Sequence, residues 1–314
     1  MEVWWIRGDG AVIDAYWNND ANGWRMFELA GAGSAAPGGG IAAVTRASDY
    51  MEIFWVGARG SIEGAWWSQG MNGWGRQRLS PEGSAALNSR VTAVSRIKDA
   101  MELWWVGANG SVQGAWWTKA SGWGRYELAV PGSAAPGSGI KAISRQGNAM
   151  EVWWVTPNGA IMDAYWYDGT GWGRFELAPP GSAANGSGIA AVARIKDAME
   201  VWWISPNGAI EDAYWYPNAG WKRFQLAGPG SAAIGGIEAV ARIGESMEVW
   251  WSGPNGSVQD AYWYPQPSWR RFELAPPNSA KPGTSFAVVS RVDNSMETWF
   301  STPTGAVKDC YWYG

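Results

Sequence analysis

The amino-acid sequence predicts an all-β chain, a seven-bladed β-propeller of four-stranded repeats about 49 residues long. Three observations carry that reading. The phrase Met-Glu-x-Trp/Phe-Trp/Phe begins at Met1, Met51, Met101, Met150, Met199, Met247 and Met296, 48 to 50 residues apart. Asp-Gly or Asn-Gly follows at a fixed offset in most copies: Asp9-Gly10, Asn109-Gly110, Asn158-Gly159, Asn207-Gly208 and Asn255-Gly256. Between these markers lie short runs rich in aromatic and β-branched residues, and helical periodicity is nowhere sustained.

Each repeat divides into four strand-like pieces. The first is small and apolar, as in Ile41-Ala42-Ala43-Val44, Val91-Thr92-Ala93-Val94 and Ile189-Ala190-Ala191-Val192. It is assigned to the innermost position, because only small side chains fit where blades converge. The second is the Met-Glu-Val-Trp-Trp strand. The third reads like Ser111-Val112-Gln113-Gly114-Ala115-Trp116-Trp117, reached through a tight Asn-Gly turn whose positive φ angles suit a hairpin. The fourth opens on a recurring Trp, as in Trp172-Gly173-Arg174-Phe175-Glu176-Leu177. A Pro/Gly/Ser/Ala segment such as Pro179-Pro180-Gly181-Ser182-Ala183-Ala184 then carries the chain onward; because it recurs in phase it is a loop, not an interdomain linker.

On this pattern residues 1–314 form a single propeller domain, with repeats starting near 1, 51, 101, 150, 199, 247 and 296. Seven second strands face six first and six fourth strands. Seven blades follow if the first lacks its inner strand and the last its outer one. The alternative is six blades and a surplus C-terminal hairpin.

Composition narrows function. The chain has 27 Trp, 43 Gly, no His, one Cys and a formal net charge of −4. So much Trp must be buried or used to grip a partner. The acidic balance argues against nucleic acid, which needs a basic face. Without His there is no imidazole acid–base catalysis, and Cys- or His-rich zinc sites are excluded. Calcium lacks an Asp-x-Asp-x-Asp loop, since Asp14, Asp163, Asp212, Asp260 and Asp309 lie singly in third strands. No metal or cofactor is expected. The single Cys310 stands where other repeats mostly have Ala and reads as packing. No apolar stretch approaches the ~20 residues of a membrane span, and the chain opens without a secretory n- or h-region. The expectation is no membrane insertion, and a cytoplasmic location or export by a non-classical route.

Catalysis needs one asymmetric constellation, whereas here almost every notable polar residue recurs in each repeat, so no enzyme is expected. Repeated sites suit repeated weak binding and avidity. Across the turn from first to second strand, Arg46 faces Glu52, and likewise Arg96 and Glu102, Arg145 and Glu151, Arg194 and Glu200, Arg242 and Glu248, and Arg291 and Glu297. One reading is a cross-strand ion pair. The other is a polar clamp for sugar hydroxyls, in which guanidinium donates and carboxylate accepts. The aromatic pairs closing the third strand and the Trp opening the fourth (Trp74, Trp123, Trp172, Trp221 and Trp269) lie at the same end. They are the candidate plates for the apolar face of a sugar. Bases also stack on Trp, but the acidic balance removes the phosphate attraction such binders use.

The blade phrase Met-Glu-Val-Trp-Trp-x-Gly-x-Asn-Gly-Ser-Val-Gln-x-Ala-Trp/Tyr-Trp, then Gly-Trp-x-Arg-Phe/Tyr-Glu-Leu-Ala-x-Pro-Gly-Ser-Ala, resembles the fucose-binding β-propeller lectins of the bacterial Photorhabdus lectin type. It is more distantly similar to the six-bladed fungal fucose lectins. The resemblance covers essentially the whole chain. It implies a multivalent lectin for L-fucose or related, O-methylated glycans, with shallow sites between adjacent blades, no catalysis, and frequent assembly into homo-oligomers. The fungal lectins place Arg near the start of the second strand and Glu in the third. Here Glu102 and its equivalents occupy the second strand, Arg96 sits on the first, and the third-strand position holds Gly64, Gly114 or Asp163. The clamp is rearranged or absent. The alternative function is a non-catalytic scaffold for protein partners.

Overall fold

The computed structural model describes residues 1–18 and 22–314. Two units of chain are distinguished, Met1–Ala142 and Ile143–Gly314. The first opens with the three strands of blade one, β1 (Glu2–Ile6), β2 (Val12–Asn18) and β3 (Gly23–Ala30). Blade two follows as β4 (Ile41–Val44), β5 (Tyr50–Val56), β6 (Ile62–Ser68) and β7 (Gly75–Arg78). Blade three is β8 (Val91–Val94), β9 (Ala100–Val106), β10 (Val112–Thr118) and β11 (Gly122–Ala129). Strand β12 (Ile140–Ile143) ends at the border of the units and opens blade four, which continues as β13 (Ala149–Val155), β14 (Ile161–Tyr167) and β15 (Gly171–Ala178). Blade five is β16 (Ile189–Val192), β17 (Met199–Ile204), β18 (Ile210–Tyr216) and β19 (Gly220–Ala227). Blade six is β20 (Ile237–Val240), β21 (Met247–Ser252), β22 (Val258–Trp263) and β23 (Arg270–Ala275). The last sheet is β24 (Phe286–Val289), β25 (Ser295–Ser301) and β26 (Val307–Tyr313).

Every sheet runs in chain order, giving seven blades. Five have four strands. The first, β1-β2-β3, has no inner strand and the last, β24-β25-β26, no outer one among the described residues. The seven-blade count therefore holds over six blades with a surplus hairpin.

The small-residue strands sit side by side within each unit. Gly40, just before β4, donates its N–H to the carbonyl of Ser89, just before β8, at 2.7 Å. A Cβ on Gly40 would lie 2.5 Å from the nitrogen of Val91, so this entry admits only glycine. The hairpin turns behave as their sequence demands. Gly208 has φ near +76°, and a Cβ there would stand 2.8 Å from the carbonyl of Ala232.

The core lies between blades. In each second strand the two adjacent aromatics point to opposite faces of the sheet, as strand geometry requires. The first meets the following blade: Trp202 is fully buried and packs edge-on to Trp269, with centroids 6.1 Å apart. The second meets the preceding blade: Trp203 donates its indole N–H to the Ser182 carbonyl at 3.0 Å.

Candidate functional site

Arg46, Arg145, Arg194 and Arg242 leave the ends of β4, β12, β16 and β20 and reach into the groove against the following blade. Five of the six expected Arg–Glu pairs form. Arg46 binds Glu52, Arg96 meets Glu102 at 3.0 Å and Arg145 meets Glu151 at 3.2 Å. Arg242 meets Glu248 at 2.9 Å and Arg291 meets Glu297 at 3.1 Å. Arg194 instead contacts Glu245 of blade six at 3.4 Å, with Glu200 as a nearby charge. The carboxylates are almost wholly buried, and the guanidiniums of Arg145, Arg194 and Arg242 expose only 5 to 6 % of their side-chain surface.

The guanidinium planes are sandwiched between rings. Arg46 lies 3.9 Å from the Tyr50 centroid of its own blade and 4.2 Å from Trp117 of the next. Arg145 lies 4.5 Å from Trp215, Arg194 4.2 Å from Trp263 and Arg242 4.3 Å from Trp312. Such contacts are strongest for Arg on Trp and when desolvated. A residue in the left-handed region of the following blade's turn adds a polar cap: Asp99 faces Arg46 at 3.4 Å, Asp197 faces Arg145 at 3.5 Å, and Asn294 accepts from Arg242. Where the third strand ends in Tyr, its phenol closes the ring of contacts. Tyr167 donates to Glu151 at 3.1 Å, and Arg291 donates to the Tyr313 oxygen at 2.6 Å.

The fourth-strand Trp residues lie deeper in the same grooves and pack edge-on to the first aromatic of the preceding blade. Trp74 meets Trp4 at 6.3 Å, Trp123 meets Phe54 at 5.7 Å, Trp221 meets Trp153 at 6.5 Å and Trp269 meets Trp202. Trp172 is half-buried. The rings that cover the arginines from the following blade are thus the third-strand Trp117, Trp215, Trp263 and Trp312, not these. Sequence reasoning placed both groups at this end but did not separate them. The turn residues Asp99, Asp197, Glu245 and Asn294 and the phenols of Tyr167 and Tyr313 were missed. Their signal was the recurring Arg-x-x-Asp/Asn/Glu and Tyr-Trp-Tyr.

Beneath the Arg–Glu pair lies a second buried acid. Trp153 donates its indole N–H to Oδ2 of Asp163 at 2.7 Å, and Trp4 does the same to Asp14 at 2.6 Å. Among the described residues, Oδ1 meets no donor in Asp14, Asp163, Asp212, Asp260 or Asp309. Burial, and then the charge of Glu151, push Asp163 well above the usual carboxylate range. Asp212 and Asp260 are raised for the same reasons, by Glu200 and Glu248. In blades four and six a proton on Oδ1 resolves both facts, because it donates to Glu151 or Glu248, whose carboxylate pairs with Arg145 or Arg242. Blade three confirms the polarity by substitution. There Gly114 replaces the Asp, and Tyr126 fills the space: its hydroxyl accepts from Trp104 at 2.8 Å and serves Glu102. A phenol can play that part only as a proton donor to Glu102, as a protonated Asp would.

The pH dependence follows. The folded chain holds protons that the unfolded chain has released, so this stabilisation is complete below about pH 4 and is lost as pH rises. For Asp14 and Asp309, both pushed up to about 6 by burial, the loss runs through that pH. For Asp163, Asp212 and Asp260 it continues higher. Asp9, held at about 2 by its hydrogen bond from Arg7, acts with the opposite sign, and only below about pH 4. Thermal unfolding followed from pH 4 to 8 should show a falling midpoint. Asp163→Asn, whose amide accepts from Trp153 and donates to Glu151, should make the fall shallower; an unchanged slope would contradict the protonated acid.

No protein-family model matches the chain, and no curated protein matches it. Among solved structures it is similar to the BP39L lectin from Burkholderia pseudomallei, at 19 % identity and a TM-score of 0.90, over 99 % of this chain and 91 % of that one. The chain shares the β-propeller fold. The fungal lectin of Aleuria aurantia, a six-bladed β-propeller with a novel fucose recognition mode, is 18 % identical with a TM-score of 0.66, over 89 % of this chain and 93 % of that one. SapL1 lectin, solved in complex with α-methyl fucoside, is 19 % identical with a TM-score of 0.63, over 88 % and 92 %. At these identities the likeness establishes the fold.

Proposed function

We propose that this chain is a multivalent lectin that binds L-fucose or related, O-methylated glycans at shallow sites between adjacent blades. The observation that carries the reading is the recurrence, groove after groove, of a guanidinium and carboxylate framed by half-buried or exposed Trp and Tyr rings. The rings offer an apolar plate for the C–H face or methyl group of a sugar, and the polar edge beside them offers donors and acceptors for hydroxyls. The candidate set comprises Arg46, Glu52, Arg96, Glu102, Arg145, Glu151, Arg194, Glu200, Arg242, Glu248, Arg291 and Glu297, with the Trp rings of each groove. Because the carboxylates are buried and the guanidiniums stacked, we assign their main part to holding the rings in place, and ligand contact to the exposed edges of Trp117, Trp215 and Trp263 and the neighbouring phenols. The likeness of the fold to lectins described with fucose supports the sugar class. A binding protein, rather than a glycosidase, fits the carboxyl pairs: Asp163 and Glu151 are shut inside the sheet, where no substrate reaches them. Assembly into homo-oligomers would multiply the sites.

A glycan array probed with the full chain tests the reading. Fucosylated or O-methylated glycans should stand above the others, and Trp215→Ala should remove about one site and leave the rest. An even response across all glycans would overturn it.

A further inference from the structure

At the opposite end of the grooves, a recess of about 700 Å³ opens between blades one and two. Its floor is Trp55, only 2 % exposed, whose indole N–H has no hydrogen-bond partner among the described residues. One face of blade two supplies the wall, because the register sets Trp55 opposite Glu63, Glu63 opposite Arg78 and Ala65 opposite Arg76, all pointing the same way. Arg59, in the β5–β6 turn, stands at the rim.

Blade two departs here from its fellows. Arg78 occupies the position of Glu127, Glu176 and Glu273, and Arg59 that of the turn residues Asn109, Asn158 and Asn207. The comparable recess between blades four and five, about 570 Å³, is lined by one guanidinium, Arg223, and one carboxylate, Glu211, which accepts from Gln225 at 3.0 Å. Its indole N–H, on Trp203, is spent on the Ser182 carbonyl. In blade two, three guanidiniums meet two carboxylates. Arg78 pairs with Glu63 at 2.9 Å and with Glu82 at 3.4 Å, and Arg59 with Glu82 at 3.6 Å. Arg76 is left with no partner among the described residues. The recess therefore holds one uncompensated guanidinium above a buried, unsatisfied N–H.

We infer that the recess between blades one and two is a separate site for a sugar carrying an oxyanion, a carboxylate or a sulfate. Arg76 would grip the anion through its planar fork, and the polar wall would take the hydroxyls. The inference goes beyond the fucose reading and uses none of its residues. It can hold if that reading fails, and the reverse.

The test is calorimetry on the full chain at low ionic strength with methyl β-D-glucuronide, galactose 6-sulfate, methyl β-D-glucoside and inorganic sulfate, alongside methyl α-L-fucoside. At least one charged sugar should bind once per chain, at least ten-fold more tightly than the neutral glucoside, and more weakly as salt rises. Arg76→Ala, at an exposed position, should weaken it at least ten-fold, while Arg223→Ala should leave it unchanged and neither should alter fucoside binding. Equal binding of charged and neutral sugars, or none, would overturn the inference. So would unchanged binding in Arg76→Ala, or inorganic sulfate binding as tightly as the sugars, the mark of an adventitious ion only.

Discussion

Arg145→Ala is expected to destabilise the chain by about 3–5 kcal/mol at neutral pH, the cost of leaving a buried carboxylate without its counter-charge. Glu151 is 2 % exposed, and its charge is balanced by Arg145 at 3.2 Å. Removing the guanidinium also leaves the Trp215 face and the Tyr167 phenol without the cation that joins them. Burial already pushes Glu151 upward, so without Arg145 it would take up a proton and the loss would shrink at low pH. Adding Glu151→Gln should recover part of the stability at pH 7, because a neutral amide needs no counter-ion. Urea unfolding of the two variants measures both effects. A loss below about 1 kcal/mol, the range of exposed ion pairs, would show that the pair behaves as a surface salt bridge.

The second large effect is expected at Gly114. It lies opposite Tyr126 across β10 and β11, and a Cβ on it would sit 2.5 Å from Cζ of that ring. Gly114→Asp should therefore cost about 1–3 kcal/mol or more by overpacking. Tyr126→Phe alone should cost about 1–3 kcal/mol, because Glu102 and the indole N–H of Trp104 lose the hydroxyl that satisfies them. Together the two changes rebuild the pairing of blade four, where Asp163 stands opposite Phe175. The double variant should be markedly more stable than the sum of the singles predicts, with a coupling of about 1–3 kcal/mol. Simple additivity in urea unfolding would mean that the phenol and the protonated acid are not equivalent.

That equivalence also marks where the sequence stops being legible. The strands were readable because each has its own composition: Ile41–Val44 and Ile189–Val192 fall where small apolar runs predict them. The Arg–Glu pairs were readable because a fixed six-residue spacing across a turn brings their side chains together. The partners from the next blade were not, since no spacing within one repeat reports which side chain of the neighbour arrives. Trp117 and Trp123 face each other across β10 and β11 and point the same way. Only the packing shows that the first covers Arg46 and the second Phe54. The acids of the third strand looked solitary for a similar reason. Asp163 pairs with Trp153 and Glu151 with Tyr165, so the two carboxyls become neighbours along one face only once the register is known. The exchange of Asp and Phe for Gly and Tyr in blade three was visible in the letters, but its meaning lies in a hydrogen bond from Trp104.

The reading of the chain as a multivalent lectin is tested most directly by calorimetric titration of the full chain with methyl α-L-fucoside. Several equivalent weak sites per chain are predicted, with their number falling by about one in Trp215→Ala. No measurable binding of this or any neutral monosaccharide, or a single site untouched by that substitution, would contradict it.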